Sequence, residues 1–176
     1  MDNLLKGLAI AGLITASSLA SAQWSVGGGY NNINAEDDFL DISLSAAYIN
    51  FGYTYGEDAF TFTPDLRVGF AISDDTVRFQ GVDVDVELDN YIVTSIRAQY
   101  NVTDSFAVFL QPSYGRFELT ASASANGFSA SESDDSWEFG FGGGATFSVT
   151  DNLNIEAFYE DFDGVDSLSV GLRYNF

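Results

Sequence analysis

The acidic side chains are the first place to look for chemistry, because most other catalytic types are missing. The chain has no His and no Cys. A Ser-His-acid relay and imidazole or thiolate metal ligation are therefore both unavailable. Glu156 and Glu160 share a strand face and are the one inward pair that could do acid–base work, although pairing with Arg is the stronger reading of both. Gly27-Gly28-Gly29 and Gly142-Gly143-Gly144 lack the following helix and the Lys-Ser/Thr of a phosphate loop, so they read as strand glycines. Acidic clusters occur at Glu36, Asp37 and Asp38, at Asp74 to Asp89, at Glu132, Asp134 and Asp135, and at Asp163 and Asp166. None follows the twelve-residue calcium-loop pattern, and a solvated acidic face is the leading interpretation. The expectation is a protein that is not an enzyme and carries no metal and no cofactor.

The elements that hold these residues show a period of two. In Phe60–Ser73, Phe60, Phe62, Pro64, Leu66, Val68, Phe70 and Ile72 share one face, while Thr61, Thr63, Asp65, Arg67, Gly69 and Ala71 share the other. The closing stretch Ser167–Phe176 repeats this, with Leu168, Val170, Leu172, Tyr174 and Phe176 opposed to Ser167, Ser169, Gly171, Arg173 and Asn175. Turn signals divide residues 23–176 into eight strands. These are Gln23–Ile33, Phe39–Tyr55, Phe60–Ser73, Tyr91–Val102, Phe106–Thr120, Ser136–Val149, Leu153–Phe162 and Ser167–Phe176. The second changes phase, since Ile42 and Leu44 lie on one parity and Ile49, Phe51, Tyr53 and Tyr55 on the other. Either a bulge near Ala46-Ala47 reconciles them, or only the second half lies in a membrane.

Residues 1–22 read as a secretory signal peptide: Lys6, an apolar run from Leu8 to Ala16, and Ala20-Ser21-Ala22 before the cut. Residues 23–176 form the single remaining domain. Asp2 and Lys6 are the only charges removed with the leader, so five Arg face 25 acidic residues afterwards. That balance excludes nucleic acid as a partner. With no long apolar run, a membrane crossing must use a closed barrel, and the fold class is all-β, an eight-stranded antiparallel up-and-down transmembrane barrel.

One face holds nearly all large aromatics and the other holds Gly, Ser, Thr, Asn and a few charges, so the polar face is expected inside. Asp65, Arg67, Arg97, Glu138, Glu156, Glu160 and Arg173 form the predicted lumen charge network. Buried charges need partners. Eight strands leave an interior that side chains fill, so an open pore is not expected. A two-residue Gly164-Val165 turn sets Leu153 opposite Phe176, Glu156 opposite Arg173 and Phe158 opposite Gly171, with Gly144 on the other side of Phe158. Arg116, on the outward parity, is placed near the membrane interface, where it meets lipid phosphates or stands as an ordinary rim Arg. Val82–Leu88 alternates and reads as a strand continuing above the membrane, turned at Gln80-Gly81, and Ala121–Asp135 reads as a mobile loop.

The terminal Leu172-Arg-Tyr-Asn-Phe176, the repeated frames Val102-Thr-Asp-Ser-Phe106 and Val149-Thr-Asp-Asn-Leu153, and the leader together resemble the OmpA-like and OmpX-like outer-membrane barrels. The resemblance implies a Gram-negative outer membrane, periplasmic termini and short turns, and extracellular long loops. It also implies that Leu168, Val170, Leu172, Tyr174 and Phe176 are the signal read by the barrel-assembly machinery. The expected partners are the lipid bilayer and lipopolysaccharide, and the expected state is a monomer. The function it implies is structural or surface-interacting, in membrane integrity or adhesion. A narrow porin-like channel or a small-solute-binding barrel remains the alternative.

Overall fold

The computed structural model describes residues 23–37, 40–56, 59–79, 82–125 and 128–176. The leader at 1–22, Asp38, and the Gln80-Gly81 turn lie outside them, as do the side chains of Glu36, Asp37 and Asp83. The strands are β1 (Gln23–Asp37), β2 (Leu40–Thr54), β3 (Phe60–Ser73), β4 (Asp75–Phe79), β5 (Val82–Asn101), β6 (Phe106–Ala125), β7 (Phe128–Ser148), β8 (Leu153–Phe162) and β9 (Val165–Asn175). Each pairs antiparallel with its neighbour in the sheet, and β3 pairs with β5 to close an eight-membered ring, leaving β4 with β5 as its sole ladder partner among the described residues. Closure also joins the first strand to the last, with Ser25 opposite Asn175 and the Phe176 amide donating to the Trp24 carbonyl at 2.9 Å.

The faces follow the alternation in the sequence, and they are inverted relative to a water-soluble protein. Phe62 and Phe139 are 53% and 65% exposed on the outer wall, whereas Glu156 and Glu160 are sealed within it. Only a lipid surround makes that arrangement favourable. The two repeated frames fold alike. The Phe106 amide donates to Thr103 Oγ1, and the Leu153 amide to Thr150 Oγ1, each at 3.0 Å. The Thr hydroxyl thus satisfies a turn amide that no ladder reaches.

Three expectations change. First, β2 keeps one phase: Leu44, Ala46, Tyr48 and Asn50 all point inward, and its register with β1 is unbroken. The irregularity lies in the β2–β3 ladder between Ser45 and Ala46. Apolar Leu44 misled the parity count because it belongs to an apolar layer inside the barrel. Second, the last hairpin turns on Asp163-Gly164, whose φ values of 44° and 93° are both positive. This is the type I′ pattern that Asp-Gly favours. Leu153 consequently faces Tyr174, Glu156 faces Gly171 and Phe158 faces Ser169. The displacement is two residues, so every side chain keeps its face.

Third, Ala121–Asp135 is no unstructured loop: β6 and β7 stay paired up to Ala125 opposite Phe128. Alternating Ser and Ala accept a register that the strands below have already set. The Val82–Leu88 run is a strand, as expected: it begins β5 and pairs with β4, and a bulge between Leu88 and Asn90 reverses its parity. Val86 and Leu88 therefore join Tyr91 and Val93 inside.

Candidate functional site: the plugged lumen

Two layers fill the bore. The charged layer is centred on Arg173 of β9, which donates through Nε to Glu156 Oε2 at 3.0 Å and through Nη1 to Asp65 Oδ2 at 2.7 Å and Ser25 Oγ at 2.9 Å. Arg97 of β5 reaches the same Glu156 Oε2 with Nη1 at 2.7 Å. Arg67 of β3 pairs with Glu160 of β8, whose other oxygen accepts from Gln111 Nε2 at 2.8 Å and Ser113 Oγ at 2.7 Å. With its amide oxygen facing Arg173, Asn50 also donates to the Gly27 carbonyl at 3.1 Å.

Arg67, Arg97 and Arg173 thus balance Asp65, Glu156 and Glu160, so the layer is buried yet neutral. An unmatched member would cost several kcal/mol at this depth. In the ring, β5 and β3 are not neighbours of β8, so the Arg97–Glu156 and Arg67–Glu160 pairs cross the lumen instead of running along its wall.

The second layer is aromatic and aliphatic. Tyr48, Tyr91, Phe109, Phe117, Phe158 and Phe162 are buried together, with Phe117 and Phe162 edge to face at 5.1 Å between centroids. The guanidinium of Arg97 lies 3.8 Å from the centroid of Phe109, and that of Arg67 lies 5.0 Å from Phe158, so the two layers are joined by cation–π contacts. Space for the rings comes from glycine. Gly69 stands opposite Tyr91, where a Cβ would overlap the ring, and Gly144 stands opposite Phe158, where a Cβ would meet the Ala157 carbonyl and the Phe158 Cβ.

Of the seven residues predicted for the network, Asp65, Arg67, Arg97, Glu156, Glu160 and Arg173 are brought together. Glu138 is not: it is half-buried, lines a separate cavity and makes no hydrogen bond or ion pair among the described residues. It lies too far along β7 toward the long hairpins to reach any of the three Arg. Sequence reading missed Asn50, Gln111 and Ser113, although all three share the inward parity. Most of the inward aromatics also escape a parity reading, because aromatic character by itself points to the lipid face. Arg116 is on the outer side and donates through Nε to Asp135 at 3.0 Å, with Glu118 at 3.6 Å, so its charge is met by carboxylates. Leu168, Val170, Leu172, Tyr174 and Phe176 line the outer wall and are each about half exposed.

A polar vestibule of about 530 Å³ opens at the end carrying the termini and stops at Arg97 and Arg173. It shares no lining residue with the small cavity beside Glu138.

An inverted eight-stranded barrel whose interior is crossed by ion pairs defines a class: the integral membrane β-barrels with a filled lumen. The chain belongs to the outer membrane protein beta-barrel domain family, whose model matches residues 7–176. It is an outer-membrane barrel in contact with the lipid bilayer, of the kind found in Gram-negative bacteria. Among solved structures it is similar to Ail, the attachment invasion locus protein of Yersinia pestis. That match has a TM-score of 0.62 at 18% identity and covers 89% of this chain and 99% of that one. It is also similar to Neisserial surface protein A, with a TM-score of 0.57 at 18% identity over 87% of this chain and 97% of that one. Ail has also been solved in complex with the heparin analogue sucrose octasulfate, a structure with a TM-score of 0.61 to this chain. No curated protein sequence matches the chain.

Proposed function

We propose that this barrel acts at the cell surface, in adhesion or membrane integrity, and neither conducts solutes nor catalyses a reaction. The observation that carries the reading is the pairing of a blocked bore with a sheet that continues past it. Ion pairs and packed rings occupy the lumen, while β6 and β7 remain paired to Ala125 and Phe128. β8 leaves β7 at Phe141. Above that point β7 continues paired with β6 alone, and β6 stays paired with β5 as far as Ala123 opposite Val84. In this reading the termini are periplasmic and the long hairpins extracellular, residues 1–22 are a cleaved signal peptide, and residues 23–176 work as a monomer. Leu168, Val170, Leu172, Tyr174 and Phe176 present the assembly signal, and lipopolysaccharide surrounds the outer rim.

The two carboxylates that could have served as acid and base, Glu156 and Glu160, are both engaged by Arg, which supports a structural role. A polyanion such as the one in the Ail complex would meet Asp85, Glu87, Asp89, Glu132 and Asp134 on the projecting sheet, so a cationic or neutral surface partner is favoured. Planar-bilayer recording on the purified chain tests the blocked bore. The expected trace has no stable openings. Reproducible unitary conductance would replace this reading with that of a narrow channel.

A further inference from the structure

The apolar layer of the lumen is incompletely filled toward the long hairpins. There it opens into a cup of about 110 Å³ whose floor and walls are Ile33, Leu44, Leu88, Phe117 and Phe162, all buried. The rim is exposed: Leu119 is 38% accessible, and Ser136 and Asp163 face solvent beside it. Glu138 also lines the cup. Asp65, Glu156 and Glu160, the inward carboxylates deeper in the barrel, are each matched by a guanidinium, whereas Glu138 has no partner among the described residues.

A hollow kept apolar, open to water, and flanked by an unmatched carboxylate is chemically selective. Apolar walls disfavour a sugar or any other highly hydrated ligand, since its hydroxyls would find no partners there. Glu138 and Asp163 repel anions, and no Arg or Lys lines the cup among the described residues. A ligand that satisfies both features carries a short aliphatic group for the hollow and a positive charge next to it for Glu138. An apolar cavity of about 150 Å³ accommodates benzene, so the group here is somewhat smaller, such as a short alkyl chain. We infer that this cup is a binding site for a short-chain aliphatic cation, an alkylammonium or alkylguanidinium. The inference goes beyond the surface role proposed above and does not depend on it.

The test uses the full barrel in lipid nanodiscs and three probes of one chain length: n-butylammonium, n-butanol and butyrate. Methyl NMR shifts at Ile33, Leu44 and Leu88 report the cup, while Ile49, on the outer wall, reports probe dissolved in lipid. Saturable shifts at the three cup residues are expected. Butylammonium should bind roughly five- to tenfold tighter than butanol, as one partly buried charge pair allows, with butyrate weakest. Glu138→Gln should reduce butylammonium to the level of butanol, and Ser136→Trp, placed at the exposed rim, should weaken both while leaving the remaining methyl spectrum unchanged. The inference is overturned by three equal affinities, by an ammonium preference that survives Glu138→Gln, or by shifts confined to Ile49.

Discussion

Arg173 and Glu156 are joined at 3.0 Å although neither is the other's register partner. Arg173 stands opposite Asn154, and Glu156 stands opposite Gly171. The contact is therefore diagonal, and the space left by the absent side chain at Gly171 is taken by the Tyr48 hydroxyl. Arg97, arriving from across the lumen, shares the same carboxylate oxygen. One acid thus links β5, β8 and β9.

Removing half of a buried pair should cost more than removing both halves. Arg67→Met leaves Glu160 buried without its cation and is expected to destabilise the barrel by about 3–5 kcal/mol. The double variant Arg67→Met with Glu160→Met should recover much of that loss. Urea unfolding in lipid vesicles measures both, and a double variant as unstable as the sum of the singles would contradict the neutral-plug account.

Gly69 makes room for the ring of Tyr91. Gly69→Ala should destabilise by about 1–3 kcal/mol, the usual cost of overfilling a packed interior. Adding Tyr91→Leu should offset that cost, an effect visible as non-additivity in a double-mutant cycle.

The outer wall should reject charge according to depth. Val170→Arg, in the middle of the closing strand's lipid face, is expected to cost about 2–4 kcal/mol, whereas Tyr174→Arg near the end should cost about 0–1 kcal/mol. Comparing vesicle unfolding for the two variants checks this, and equal losses would place the hydrocarbon region elsewhere.

Sidedness is accessible because the chain has no Cys of its own. Ser131→Cys on the projecting sheet should react with a membrane-impermeant maleimide on intact cells. Asp151→Cys in a turn at the terminal end should react only after the outer membrane is permeabilised. The reverse pattern would invert the proposed orientation.

The turn at Asp163-Gly164 sets the register of the last hairpin through two positive φ angles. Gly164→Val should cost about 1 kcal/mol or more, because a β-branched residue is strained there. Asp163→Gly should be nearly neutral by the same unfolding measurement.

What could be read directly from the residues was the alternation. In Phe60–Ser73 and Ser167–Phe176 the side chain's face depends on sequence parity and nothing else, so the strands, their outer wall and the inward direction of Arg67, Arg97, Glu156 and Arg173 were legible. Parity is a local property of an extended chain, and a register displaced by two preserves it. That is why the wrong turn at Gly164-Val165 still put Glu156 and Arg173 on one face. The partners themselves were less accessible. That Arg67 crosses to Glu160, that Glu138 stays apart, and that Leu44, Tyr91 and Phe162 lie inside despite being apolar all depend on curvature and on residues more than one strand away. A closed barrel offers two places where an aromatic ring avoids water, the lipid and a crowded lumen. Hydrophobicity alone does not distinguish them; the glycine facing the ring does, and only the folded register shows which glycine that is.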